Sequence, residues 1–277
     1  MDKREFADRY GPWALIAGAS EGTGASFAHQ LAEKGLNLVL IARREPPLAL
    51  LAEQIRARHG VECVIASVDL SGDHAARRMA EVAGAREVGL FIFNAGADTN
   101  GAMFLDGDLA NWDALAMRNV MTVMRSCHIF GRPMRARGRG GMIIVGSGAC
   151  YGGLPGIGVY GATKAFDLIL GEALWAELKP YGIDVLNLIM GKTDTPAHRE
   201  LMGRLGMAFP DDCASSDEVA ALGLERLPHG PVLNWGLDDG DVGYAGTSAA
   251  QRRHRIEAIA AMSAAYSSKT DLSPANS

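Results

Sequence analysis

Trp13-Ala14-Leu15-Ile16-Ala17-Gly18-Ala19-Ser20-Glu21-Gly22-Thr23-Gly24 decides how the chain folds. Five apolar residues read as a buried strand, and a glycine-rich turn ends it. The next run, Ala25–Lys34, reads as a helix that Gly35 closes. A helix N-terminus carries free N–H groups and the positive end of the helix dipole, so it attracts phosphate. The G-x-x-x-G-x-G spacing lets the helix pack on the strand and lets a pyrophosphate approach the backbone. A dinucleotide is therefore expected on Gly18, Ser20, Glu21, Gly22, Thr23 and Gly24.

The same alternation continues outward. Asn37–Ala42, Val61–Val68, Val88–Phe93, Met142–Val145 and Ile183–Ile189 read as further buried strands, with Pro231–Trp235 as a possible last one. Pro47–Arg58, His74–Ala83, Leu109–Gly131 and Thr163–Lys179 read as helices between them. Strand and helix in turn, with right-handed crossovers, predict an α/β fold: a doubly wound parallel sheet of about seven strands with helices on both faces. One domain over 1–266 is expected, with 191–228 as the substrate-binding segment. A helix at Ala249–Tyr266 and a flexible polar tail at Ser267–Ser277 complete the reading.

Three strand ends face the expected dinucleotide groove. Arg43 lies nineteen residues past Gly24. An acidic residue near that point would bond the ribose 2′-hydroxyl, whereas Arg43 and Arg44 suit a 2′-phosphate, so NADP(H) is expected. Glu45 stands close enough to pair with one of the two arginines. After the third strand, Asp69 of Val68-Asp69-Leu70 offers a carboxylate to the adenine amino group. After the fourth, Asn94-Ala95-Gly96 offers small residues against which the cofactor lies.

Composition excludes several other classes. There are 32 acidic residues against 27 basic ones, so nothing attracts the chain to nucleic acid or an anionic membrane. The run Arg135-Ala136-Arg137-Gly138-Arg139-Gly140-Gly141 is short and lacks aromatic residues, and it reads as a solvated loop. No apolar run approaches the roughly 18 residues that span a bilayer, and the charged N-terminus is no secretion signal. A cytoplasmic protein is expected. Cys63, Cys127, Cys150 and Cys213 show no metal-ligand spacing, nor do the seven histidines, so no metal is expected.

The chemistry lies farther along. In Tyr160-Gly161-Ala162-Thr163-Lys164, Tyr160 and Lys164 are four apart and share a helix face. An ammonium beside a phenol favours phenolate, which makes Tyr160 usable as a general acid or base. Ser147 lies thirteen residues earlier at a strand end, where its hydroxyl can bond a substrate carbonyl oxygen.

With the glycine turn, the Asn94-Ala95-Gly96 step and Asn119 in the helix after the fourth strand, this set resembles the short-chain dehydrogenase/reductase superfamily over Tyr10 to Pro196. The resemblance implies that Tyr160 exchanges the proton of the reacting oxygen, and that Lys164 binds the nicotinamide ribose and lowers the Tyr160 pKa. It implies that Ser147 orients the reacting oxygen and that Asn119 holds a water in a proton relay. It also implies nicotinamide contacts from Thr193 and Thr195, and a homodimer or homotetramer. Gly146-Ser147 replaces the family's usual Ser-Ser, and Met190-Gly191 lacks its usual proline.

Tyr10-Gly11-Pro12-Trp13, Ala42-Arg43-Arg44-Glu45 and Gly191-Lys192-Thr193-Asp194-Thr195-Pro196 are together similar to bacterial 7β-hydroxysteroid dehydrogenases. Leu154, Ile157, Val159, Met190, Leu201, Met202, Leu205, Met207 and Phe209 suit a bulky hydrophobic alcohol or ketone. Cys150 falls in the same region. A reductase of 3-oxoacyl thioesters or small ketones is the alternative enzyme, and an NADP(H)-sensing regulator is the alternative from another class.

Overall fold

A computed structural model describes residues 1–235 apart from 99, 100, 205 and 207. The helix expected at Ala249–Tyr266, the tail at 267–277, Leu205 and Met207 lie outside the described residues.

Seven strands form one parallel sheet: β1 Trp13–Ala17, β2 Asn37–Ala42, β3 Cys63–Ser67, β4 Val88–Phe93, β5 Gly140–Ser147, β6 Ile183–Met190 and, last in the chain, Val232–Trp235. Their spatial order is β3-β2-β1-β4-β5-β6 and then Val232–Trp235. The register runs Ala17 to Ile41 on one side of β1 and Ala17 to Phe93 on the other. The order reverses between β1 and β4, where an open α/β sheet leaves a crevice at the carboxyl ends of its strands.

All of β1 and β4 is buried, which explains runs without polar alternation. Successive side chains point to opposite faces. Ala14, Ile16, Leu38, Leu40, Leu90 and Ile92 pack with Phe27 and Leu31 of α2 (Gly22–Glu33) and Leu48 of α3 (Glu45–His59). On the other face, Leu15, Val39, Phe91 and Phe93 pack with Met79 of α4 (Ala75–Ala83) and with Phe130 and Met134 farther along.

Four sequence expectations need correction. A helix, α1 (Lys3–Tyr10), precedes the first strand. Asp2 and Glu5 cap its N-terminus reciprocally. Phe6 and Tyr10, four apart, are its buried face, and the charged residues around them hid that stripe.

The helix expected over Leu109–Gly131 is interrupted. It runs as α5 (Leu109–Ala116), a π-helical turn Met117–Thr122, and α6 (Val123–Arg137). The next helix, α7 (Gly158–Leu178), begins at Gly158 rather than Thr163 and therefore includes Tyr160 in its first turn.

The run Arg135–Gly141 is not a solvated loop. Arg137 donates to the Val88 carbonyl, while Arg139 pairs with Glu87 and donates to the Asp8 carbonyl at 2.9 Å. These bonds hold α1 and the start of β4 together.

Beyond β6, Thr193–Asp194 (β7) pairs in parallel with Ala214–Ser215 (β8). The helix α8 (Pro196–Arg204) lies between them, and α9 (Ser216–Arg226) follows. Among the described residues, no helix is long and apolar enough to cross a membrane.

Tyr10 is fully buried and donates to Asp184 Oδ2 at 2.6 Å, while Arg9 pairs with the same oxygen at 2.7 Å. Burial, then the bond to Asp184, pushes the Tyr10 hydroxyl well above the ordinary tyrosine pKa. Tyr10→Phe should cost about 2 kcal/mol, the worth of a hydrogen bond to a charged acceptor. Urea denaturation followed by circular dichroism measures it.

Candidate active site

The glycine turn meets the sheet at one carbonyl. Gly18 O accepts from Asn94 Nδ2 at 2.9 Å, which ties the end of β1 to the end of β4. A Cβ on Gly24 would stand 2.0 Å from that oxygen, so only glycine lets α2 begin so close to β1. The free N–H groups of the first turn of α2 lie beside bare backbone on the cleft wall.

One cleft collects most of the expected contacts. Gly18, Ser20, Glu21, Gly22, Thr23, Arg43, Arg44, Asp69, Leu70, Asn94, Ala95, Gly96, Tyr160, Lys164 and Thr195 all line it. Residues from six separate stretches of sequence thus open onto one space. Gly24 is buried behind it.

Some members differ in detail from expectation. The partner of Arg44 is Glu21, at 2.5 Å, rather than the adjacent Glu45. Arg43 is exposed and has no acidic partner among the described residues. Asp69 Oδ1 accepts from Ser71 N at 2.9 Å, which orients the carboxyl at the strand end. Leu70 is buried, and its carbonyl accepts from Thr122 Oγ1 at 2.9 Å.

Thr193 is buried instead of lining the cleft. Its hydroxyl donates to Gly191 O, and its own carbonyl meets His198 Nδ1 at 2.9 Å. Thr195, two residues on and half-buried, lines the cleft in its place.

Deeper residues form a polar spine. Asn119 is fully buried in the π-helical turn, with Nδ2 donating to Gly96 O and to Thr163 Oγ1, each at 3.0 Å. A π turn widens the helix by one residue and frees backbone groups from the usual ladder. Thr163 Oγ1 in turn donates to Tyr160 O at 2.8 Å. Lys164 Nζ donates to Val145 O at 2.9 Å and to Asp167 Oδ2 at 3.0 Å. Ser147 ends β5 half-buried, and its Oγ accepts from Ala149 N at 3.3 Å. The turn Gly148–Tyr151 then brings the chain back against the first turn of α7.

Two residues escaped the sequence reading. Arg118 lines the cleft, donating from Nε to Asn119 Oδ1 at 3.2 Å and from Nη2 to Ala97 O at 2.9 Å. Asp167 is wholly buried against Lys164. Arg118 gave no signal, since one cation inside an amphipathic helix reads as surface. Asp167 did give one: a carboxylate three residues from a lysine, inside an otherwise apolar run.

Of the candidate apolar lining, Leu154, Ile157, Val159, Met190 and Leu201 are half-buried, while Met202 belongs to the core. Phe209 is covered by the His198 ring and the Arg199 guanidinium. Cys150 is half-exposed on the turn after Ser147, whereas burial pushes the Cys127 thiol up to about 12. No group of three or more His, Cys, Asp or Glu suited to a metal ion occurs among the described residues.

The fold and this cleft are those of a dinucleotide-dependent oxidoreductase built on a doubly wound sheet. The profile of the short chain dehydrogenase family matches residues 12–204, and the chain belongs to that family: it is an oxidoreductase acting on CH–OH groups. It is 34% identical to the 7β-hydroxysteroid dehydrogenase of Collinsella aerofaciens over 190 residues, which are 69% of this chain and 72% of that one. A solved 7β-hydroxysteroid dehydrogenase structure superposes with a TM-score of 0.81 at 28% identity, covering 92% of this chain and 98% of the other. A short-chain dehydrogenase of Sphingobium yanoikuyae, solved with NADPH, gives 0.73 at 28% identity, covering 96% and 98%.

Gly24→Ala should lower stability by about 3 kcal/mol through overpacking against the Gly18 carbonyl. Gly203→Ala, where a Cβ meets nothing within 4 Å, should not. Paired urea denaturation curves separate the two.

Proposed function

We propose that the protein interconverts a secondary alcohol and a ketone with NADP(H), on a bulky hydrophobic substrate of the hydroxysteroid class. One observation carries the reading: Tyr160 and Lys164 open onto the same cleft as the glycine turn and the arginine pair. The donor set suits the cofactor. Bare backbone at Gly18 and Gly22 beside the start of α2 suits a pyrophosphate. Arg43 suits a 2′-phosphate, because its fork donates to two oxygens at once and it has no acidic partner among the described residues. The NADPH-bound relative from Sphingobium supports the same choice.

The bound nicotinamide would supply the hydride. The chain's own residues do the rest. Tyr160 donates its proton to the carbonyl oxygen in reduction and takes it back in oxidation. The buried Lys164 ammonium interacts with Tyr160 and stabilises the negative charge that develops on its oxygen as the proton is transferred. The Ser147 hydroxyl bonds the reacting oxygen as charge develops there. Asn119, held at both ends of its amide, ties Gly96 to Thr163, the neighbour of Lys164, and would hold a water there for a proton relay. Gly96 is needed for that approach: a Cβ there would stand 3.0 Å from both Asn119 Oδ1 and Lys164 Nζ. Thr195, Asp69 and Asn94, which line the same cleft, would contact the cofactor.

The substrate class rests on the half-buried Leu154, Ile157, Val159 and Met190, and on the similarity to 7β-hydroxysteroid dehydrogenases. A panel of steroids, bile acids, 3-oxoacyl thioesters and small secondary alcohols tests it, read by absorbance of the reduced nicotinamide. Steroid substrates should give the highest kcat/KM, and NADPH should exceed NADH at least tenfold. Tyr160→Phe should lower kcat by three orders of magnitude or more, consistent with loss of a general acid together with its oriented hydroxyl. Near-normal turnover in that variant refutes the assignment.

A further inference from the structure

Lys164 carries its charge in a dry place. The side chains of Lys164 and Asp167 are only 4% and 1% exposed, and their charged atoms stand 3.0 Å apart. The ammonium has one other acceptor, the carbonyl of Val145 on β5. Asp167 lies one helical turn along α7, out of the cleft, and its Oδ1 is buried with no protein partner. A buried carboxylate with one oxygen unpaired is a liability for folding. A purely structural pair would gain by exchange for apolar residues, so its position against the cleft lysine calls for a chemical reason.

The groups facing this pair are few. Tyr160 acts on Lys164 from the same helix, and Arg118 acts from the π-helical turn. Cys127 of α6 feels Asp167, and its raised thiol stays neutral and contributes no charge. Asp167 is thus the carboxylate that compensates Lys164.

We propose that Asp167 is a positioning residue for the reaction: its carboxylate keeps Lys164 protonated and seated against Val145, so that a full positive charge remains beside Tyr160 as its proton is transferred. The proposal rests on the roles given above to Tyr160 and Lys164. Burial opposes the ammonium, but Asp167 and Tyr160 more than offset it, so Lys164 stands above the ordinary lysine value. Burial also raises the Asp167 carboxyl, and Lys164 pulls it back only in part.

The sign follows from these causes. With asparagine at position 167, burial and repulsion from Arg118 act on Lys164 without the compensating carboxylate. Lys164 then loses its proton at lower pH. Tyr160 loses a cationic neighbour, and alcohol oxidation then sets in at higher pH. A carboxylate that merely screened Lys164 would give the reverse, with oxidation setting in at lower pH once it was removed.

The test uses [ε-13C]lysine-labelled protein and NMR titration, with the Lys164 resonance assigned by its loss in Lys164→Met. In the wild type it should titrate above the solvent-exposed lysines. In Asp167→Asn it should titrate at least about one pH unit lower than in the wild type. The rising limb of kcat/KM against pH for alcohol oxidation should move up in the same variant. Asp167→Glu, which keeps the charge, should restore both.

An unmoved lysine resonance, or a limb that moves down, overturns the proposal. If Asp167→Asn does not fold, the wild-type titration decides: a Lys164 resonance at or below the solvent lysines overturns it. If no alcohol or ketone is turned over, the functional reading falls, while the lysine titration still reports on Asp167.

Discussion

The carbonyl of Gly18 is the point on which the structure turns. It ends β1, accepts from Asn94 at the end of β4, and lies against the first turn of α2. Two consecutive elements and a third some seventy residues on thus converge on one oxygen. A side chain at Gly24 would push α2 away, and the floor of the cleft would lose its bare backbone. The parallel sheet supplies the rest of the geometry, because the order of its strands reverses beside this point and their carboxyl ends diverge there. Polar groups can gather in that crevice with the core intact on both faces of the sheet.

Behind the cleft runs a line of polar contacts that crosses the core instead of avoiding it. Gly96, Asn119, Thr163 and the backbone of Tyr160 are joined by successive hydrogen bonds, and Lys164 bridges β5 to Asp167 in the next turn of α7. Buried polar groups are tolerated when nearly every donor and acceptor is satisfied, and such networks then lock their members into one arrangement. The π-helical turn fits this constraint. It places Asn119 where its amide reaches both Gly96 and Thr163, a geometry that the continuous helix expected from the apolar pattern does not provide.

Much of the fold was legible in the sequence for a simple reason. A strand buried on both faces must be apolar, and β1, β2 and β4 were read to the residue because they are, apart from the half-buried Asn37 that opens β2. The Tyr160 and Lys164 pairing was equally legible, since four residues apart on a helix brings two side chains to one face. Less was visible where a residue's meaning depends on a distant partner. The six charged side chains of 1–11 concealed α1, whose value lies in Phe6 and in the bond from Tyr10 to Asp184. The arginines of 135–139 read as solvent-facing because Glu87 and the backbone of Asp8 are remote in sequence.

Local periodicity and the glycine spacing were enough to establish the sheet, its helices and the dinucleotide groove, because each follows from the stereochemistry of a few neighbouring residues. The pairing of Arg44 with Glu21, the withdrawal of Thr193 from the cleft, the break at Asn119 and the burial of Asp167 beneath Lys164 needed the folded chain. Each depends on which surfaces meet across the sheet, and on how far water is excluded where they meet. Neither quantity is encoded in any short window of residues.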